Sequence, residues 1–274
     1  WAEYGLLPAM NLAMAFLGAG LVVMLIGESP IEAVRLLVFG AFGYGEAVGY
    51  TLFYATNFIF TGLAVSLAFH AGLFNIGGEG QAYLGGLGAG LAALAISDAL
   101  GVLGVPLVIL AAAAFGAAWA VRPGWLQAKR GSHVVITTIM MNFIAGSLMT
   151  YLLVNVLIRP GQQAPETATF ASVLWMPQLW EIAGGLGLSV GRSPVNVSLV
   201  LALLCALAVW LFVFKSRRGF ELRVVGRNER AAIYGGIRPD RVIVLAMALS
   251  GALAGLMAVN ELLGSQHLIL LGFT

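Results

Sequence analysis

The sequence predicts an all-α fold, a polytopic bundle of membrane-spanning helices. Three observations predict it. Hydrophobic residues make up 60% of the 274 residues and charged residues 9%, against about 25% charged in soluble domains. The mean hydropathy is +0.95. Seven apolar runs approach the ~20 residues a helix needs to cross a bilayer: Leu6–Ile26, Leu52–Ala71, Gln81–Ile96, Val102–Val121, Val134–Leu157, Val195–Phe214 and Val242–Leu263. The 36 glycines suit such a bundle, because small residues let backbones approach closely in lipid. Residues 1–274 read as one transmembrane domain.

The first run is too long for a signal-peptide core and lacks a basic start and a small-residue cleavage site, so it reads as a retained span. Residue 1 is Trp and the chain stops at Phe273-Thr274 without a tail, so the chain reads as truncated. Residues 29–42 follow as an amphipathic helix. Ser29 caps it, Pro30 suits its first position and Glu32 its first turn, and Ile31, Val34, Leu37 and Val38 recur at helical spacing. It either lies in the membrane interface or plugs the bundle.

Between the second and third runs lies Phe69–Gln81, which holds Gly72, Gly77, Gly78 and Gly80 beside His70, Asn75, Glu79 and Gln81. Glycines break a helix, and a broken helix at membrane depth is tolerated only where protein or water satisfies its backbone. A carboxylate there costs at least ~2.5–3.5 kcal/mol on insertion scales. Two readings fit: a polar pathway lined by this stretch, or a loop with Glu79 in interfacial water. The third run is short, as befits a span that starts partway through the bilayer.

Charge sets the orientation. Segment 122–133 holds Arg122, Lys129 and Arg130 without an acid, and segment 215–241 holds eight of the 14 Lys and Arg residues. Basic loops stay in the cytoplasm, and both fall on one side of a seven-span chain. The N-terminus is then cytoplasmic, 29–42 and 159–194 are extracytoplasmic, and 215–241 is a cytoplasmic loop. Segment 159–194, with Pro160, Pro165, Pro177, Trp175 and Trp180, reads as an irregular cap with its tryptophans at the headgroups, or as a plain connection. Within 215–241, Arg223–Ile237 reads as a short capped helix. Asn228 is its N-cap and Glu229 lies in the first turn, Gly235 or Gly236 stops it, and Ala231 and Ala232 are small enough for close approach. It serves either to dock another protein or to meet lipid headgroups.

Other chemistries are absent from the sequence. Neither Lys129 nor Lys215 follows the glycines of a phosphate-binding loop, and His70, His133 and His267 lie far apart. Gly187-Leu188-Ser189-Val190-Gly191 matches a nucleophile-elbow pattern without the strand that motif requires. Cys205 stands alone, which excludes a disulfide framework and a cysteine metal site. Gly86–Gly90 and Gly251–Gly255 are G-x-x-x-G matches and predict tight helix crossings.

Several stretches together resemble the permease subunits of bacterial ABC importers for nucleosides and simple sugars, in the branched-chain amino acid permease superfamily. They are Thr61–Val65, Ala71–Gly77 with Glu79-Gly80-Gln81, Thr137–Ala145, Gly219–Asn228 with Ala231-Ala232 and Gly236-Ile237, and Ser250–Gly255. The resemblance implies a pore-forming subunit of the bacterial inner membrane that performs no bond chemistry. Its implied partners are a second permease subunit, identical or paralogous, cytoplasmic ABC ATPases, an extracytoplasmic substrate-binding protein and membrane lipid, with no nucleic acid. No cofactor is implied in this chain, since ATP and Mg belong to the ATPase. The pathway candidates are Asn57, Phe74, Asn75, Glu79, Gln81 and Asn142. The ATPase-coupling candidates are Arg223, Gly226, Asn228, Ala231 and Ala232. Asn142 also suits an interhelical hydrogen bond, and Phe74 either stacks on a base or sugar ring or simply packs. Ser132-His133 stands where the family often has an Asn-Glu pair, and His70 where an Arg is common. The family also continues beyond residue 274, in line with truncation. The alternative is an ion-coupled secondary transporter in which Glu79 or His70 titrates; an intramembrane enzyme is the third class.

Overall fold

Apolar runs in a bilayer must satisfy their backbone internally, and helices do so within one segment. The computed structural model describes residues 5–96, 101, 103–187 and 191–274. Among these, eleven α-helices follow in order: α1 (Leu7–Leu25), α2 (Pro30–Phe42), α3 (Gly45–His70), α4 (Gly78–Ala95), α5 (Gly104–Arg130), α6 (Val134–Asn155), α7 (Leu179–Gly185), α8 (Ser198–Lys215), α9 (Arg217–Arg227), α10 (Glu229–Tyr234) and α11 (Pro239–Glu261). Helix α11 runs on through a π turn, Leu262–Gln266. Val102, the first residue of the fourth expected run, and Leu188–Val190 of the elbow-like pattern lie outside the described residues.

Six described helices are long and apolar enough to cross a membrane: α1, α3, α5, α6, α8 and α11 with its extension. The seventh expected span is α4, 18 residues long, which is not among the six. Six glycines dilute its apolarity, and its middle is buried within the protein. It therefore needs little lipid-facing apolar surface of its own.

Helices α4, α5 and α11 form the centre. A Cβ at Gly85 would meet the Gly255 backbone, and one at Gly116 or Gly251 would meet the other's carbonyl. Three backbones thus touch where glycine alone fits. Gly251–Gly255 marks a tight crossing, as expected. Gly86 and Gly90 instead receive the side chains of Phe273 and Ile269, so that match makes a seat for the chain's last segment, and the crossing residue is the neighbouring Gly85. In contrast, α1 and α2 bury no residue. Ser29 caps α2, accepting from the Glu32 N–H at 3.4 Å.

Two ends can be distinguished. At the basic end, Lys129 Nζ of α5 meets Asp240 of α11 at 2.7 Å, and the end of α3 packs on α9. At the opposite end, segment 159–194 is stitched to the residues after α11. Thr167 N–H donates to Ile269 O at 3.0 Å, Phe170 N–H to His267 O at 2.8 Å and Met176 N–H to Leu263 O at 2.9 Å. Trp175 stacks on His267 with ring centroids 4.0 Å apart, and Trp180 Nε1 donates to Gln178. Both tryptophans are thus engaged, Trp175 with the segment after α11 and Trp180 within the cap. His267 holds a left-handed φ of 59°. Burial lowers the pKa of its imidazole, against the Leu263 backbone hydrogen bond and the charge of Glu181, which raise it.

Candidate functional site

The glycine break is the hub. Helix α3 ends at His70, Gly72 turns the chain with φ +72°, and α4 begins at Gly78. Asn75, 4% exposed, and Gln81, 1% exposed, pair amide to amide, with both hydrogen bonds 3.0 Å long. Asn75 Oδ1 also accepts from the Gly77 N–H at 2.9 Å, and its Nδ2 donates to Ser250 Oγ of α11 at 2.9 Å. Ser250 donates in turn to Ala64 O of α3 at 2.7 Å. Buried amides need such partners, and here they clamp the break to both flanking helices.

Asn142 of α6 clamps the same break from the other side. Its Nδ2 donates to Ile76 O at 2.9 Å, and its Oδ1 accepts from the Gly80 N–H at 3.0 Å. A side chain from another helix thus satisfies a donor of the first turn of α4, which lacks an intrahelical partner. Gly80 sits against the Asn142 backbone, where a Cβ would come within 3.0 Å of its Cα.

Glu79 points the other way. It is exposed and lies on a groove of about 810 Å³ between α4 and α6, lined also by Tyr83, Asn142, Ser147, Thr150 and Tyr151. Among the described residues Glu79 has no ion-pair partner. With Ile139, Phe143 and Gly146 also lining it, the α6 groove residues from Ile139 to Ser147 repeat at i, i+3, i+4, i+7 and i+8, one face of a helix. Tyr83, Ser147, Thr150 and Tyr151 were not anticipated from motifs, although Ser147, Thr150 and Tyr151 continue the helical face that starts at Asn142. Phe74 is 49% exposed and its ring lies 5.1 Å from that of Phe69, on the other flank of the break.

Asn57 is elsewhere, in a second polar knot. Its Nδ2 donates to Glu261 Oε1 at 2.6 Å and its Oδ1 accepts from Asn260 Nδ2 at 2.8 Å. Asn260 Oδ1 accepts from Asn196 at 2.9 Å and from Ser198 Oγ at 2.5 Å. Glu261 is a buried carboxylate within a spanning helix. Its sequence signal was an ionisable residue inside the run Val242–Leu263, which deserves a functional reading by default. His70 is accounted for locally: Nδ1 meets Ser66 O at 2.8 Å and the ring packs edge-on to Phe214.

At the basic end the expected capped helix is two helices. Asn228 ends α9 and caps α10, its Oδ1 accepting from the Ala231 N–H at 3.0 Å, and Gly235 closes α10. Arg223 and Gly226 belong to α9 and turn inward, which corrects their placement in one helix with Ala231. Arg223 lies over the Phe214 ring at 5.4 Å, and Gly226 packs on the 70–72 backbone. Ala232 is buried, whereas Ala231 is exposed. Ile233 and Tyr234, 58% and 93% exposed, dominate the free face of α10 and were not singled out by the sequence.

A bundle of apolar helices long enough to cross a membrane, with polar side chains along one pair of them, is the architecture of a multi-pass membrane permease, and the chain is of that class. It belongs to the branched-chain amino acid transport system / permease component family, whose pattern residues 47–272 match. The guanosine ABC transporter permease protein of Bacillus subtilis is 36% identical over 260 residues, covering 95% of this chain and 72% of that one. The glucose ABC transporter permease protein of Haloferax volcanii is 33% identical over 268 residues, covering 97% and 70%. The nucleoside ABC transporter permease protein of Lactococcus lactis is 32% identical over 259 residues, covering 92% and 68%. No solved structure matches the chain.

Proposed function

We propose that this chain lines half of the solute pathway of an ATP-driven importer and carries a nucleoside or simple sugar inward. A second permease subunit faces it, cytoplasmic ATPases dock on α10, and an extracytoplasmic binding protein meets the 159–194 cap. The observation that carries the reading is the groove beside the glycine break. Glu79, Asn142, Ser147 and Thr150 offer hydrogen-bonding groups to hydroxyls, and Tyr83 and Tyr151 offer ring faces, a set matched to polyhydroxylated, partly flat solutes. Relatives named for guanosine, glucose and nucleosides support the same solute classes. Asn75 and Gln81 hold the break, while Glu79 and Asn142 border the pathway. The concentration of Arg at the α9–α10 end supports a cytoplasmic placement of that end, with the N-terminus on the same side.

Uptake by membrane vesicles separates this reading from an ion-coupled transporter in which Glu79 or His70 titrates. Vanadate, which traps ABC ATPases, is expected to abolish uptake. A protonophore at constant ATP is expected to leave it intact. Loss with the protonophore and persistence with vanadate would overturn the importer reading.

A further inference from the structure

We propose that the backbone contact between Gly72 and Gly226 is the joint through which movement of the ATPase-facing helices reaches the solute groove. This rests on the importer reading above. Helix α10 is six residues long and does not act alone, since Asn228 both ends α9 and caps α10. The two helices are hinged on one residue, and α9 presents Gly226 in its last turn to the end of α3.

There the two backbones touch with no side chain between them. A Cβ on Gly226 would run into His70 O and lie 2.8 Å from Gly72 N and 2.9 Å from Ala71 C. A Cβ on Gly72 would lie 3.1 Å from both Cα and O of Gly226. Gly72 also holds φ +72°, a conformation that side chains disfavour. Gly72 keeps one side exposed and Gly226 is half-buried, but closely packed groups are barely compressible and transmit displacement, and a backbone-on-backbone contact lacks even rotamers to absorb it. Ala71, Leu73, Leu222, Val225 and Ala232 are buried in one cluster around it, so the surfaces cannot part without exposing apolar area.

From Gly72 the path to the groove is short. Asn75, three residues on, ties the break to Gln81 and Ser250. Asn142 holds Ile76 O and the Gly80 N–H, and Glu79 lies between those two anchors. A shift of the 70–72 backbone is therefore delivered to the first turn of α4, and with it to Glu79 and its distance from α6. The bland alternative is that both glycines serve packing alone. A methyl at Gly226 would then cost stability without altering how much solute moves per ATP.

The test uses the permease assembled with its ATPases and binding protein in proteoliposomes. In the wild-type complex, amide hydrogen exchange is compared without nucleotide and after trapping with ATP and vanadate. The joint requires residues 70–80 to change protection together with residues 217–237; a change confined to 217–237 overturns it. In the second arm, Gly226→Ala is expected to lower the solute moved per ATP hydrolysed at least about fivefold. Gly40→Ala, at a position with nothing within 4 Å, keeps the wild-type ratio. A wild-type ratio in Gly226→Ala overturns the joint, and if that variant does not assemble, the exchange experiment decides. Wild-type protein that shows no ATP-driven uptake refutes the importer reading itself, whereas intact uptake with an unresponsive 70–80 segment refutes only the joint.

Discussion

Asn75 Oδ1 accepts from the Gln81 amide and the Gly77 N–H at once, so truncating this side chain strands two buried donors. Each unsatisfied buried group costs about 1–3 kcal/mol. Asn75→Ala is expected to melt at a lower temperature in detergent and to lose uptake only in proportion to lost folded protein. Among the described residues Glu79 bonds no neighbour, so Glu79→Gln should melt like wild type yet transport about tenfold or more poorly, as loss of a charge-assisted hydrogen bond implies. Wild-type melting of Asn75→Ala together with loss of uptake would move Asn75 into the solute pathway. Both residues stand out in the sequence because polar groups among glycines are uncommon in a span. Their opposite directions were not legible there, since a broken helix has no period from which to read a face.

At the scale of elements, α10 was largely readable. Asn228 is a good cap, Glu229 suits a first turn, and glycines follow. Which small residue looks outward was not readable, because a helix of six residues takes its rotation from the surface beneath it. Here Ala232 joins the cluster of Leu222, Val225 and Ile243, leaving Ala231, Ile233 and Tyr234 free. Ala231→Trp is therefore expected to insert and melt normally while capturing no ATPase in a pull-down. Tyr234→Ala, which removes an aromatic anchor of hot-spot type, should weaken capture about tenfold or more. Ala232→Trp should instead overpack the core and lower the melting temperature by the equivalent of about 1–3 kcal/mol. Wild-type capture by both Ala231→Trp and Tyr234→Ala would sink the docking role. The same division of labour holds at the crossing of α4, α5 and α11. G-x-x-x-G spacing found Gly251–Gly255, yet it favoured Gly86 and Gly90 over Gly85, because spacing does not say whether a backbone or a side chain will fill the notch.

For the whole molecule, the ends gathered by contacts agree with those sorted by charge. Lys129, Asp240, Gly72 and Gly226 meet at the end that holds most of the arginines, and the 159–194 cap packs on the tail at the other. In a Cys205→Ser background, Tyr234→Cys should react with an impermeant maleimide only after permeabilisation, and Ile182→Cys in intact cells. The reverse pattern would invert the orientation. The sequence by itself determined the membrane class, six of the seven expected spans, the position of the break and the caps Ser29 and Asn228. These follow from transfer free energies and backbone preferences that act over a few neighbouring residues. Only the tertiary structure decided that Asn57 meets Glu261 across 204 positions, that Gly72 rests on Gly226, and that Glu79 faces a groove while Asn75 turns its back to it. Such pairings are set by which helix faces pack together, and in a chain that is apolar almost everywhere the local pattern does not choose among faces.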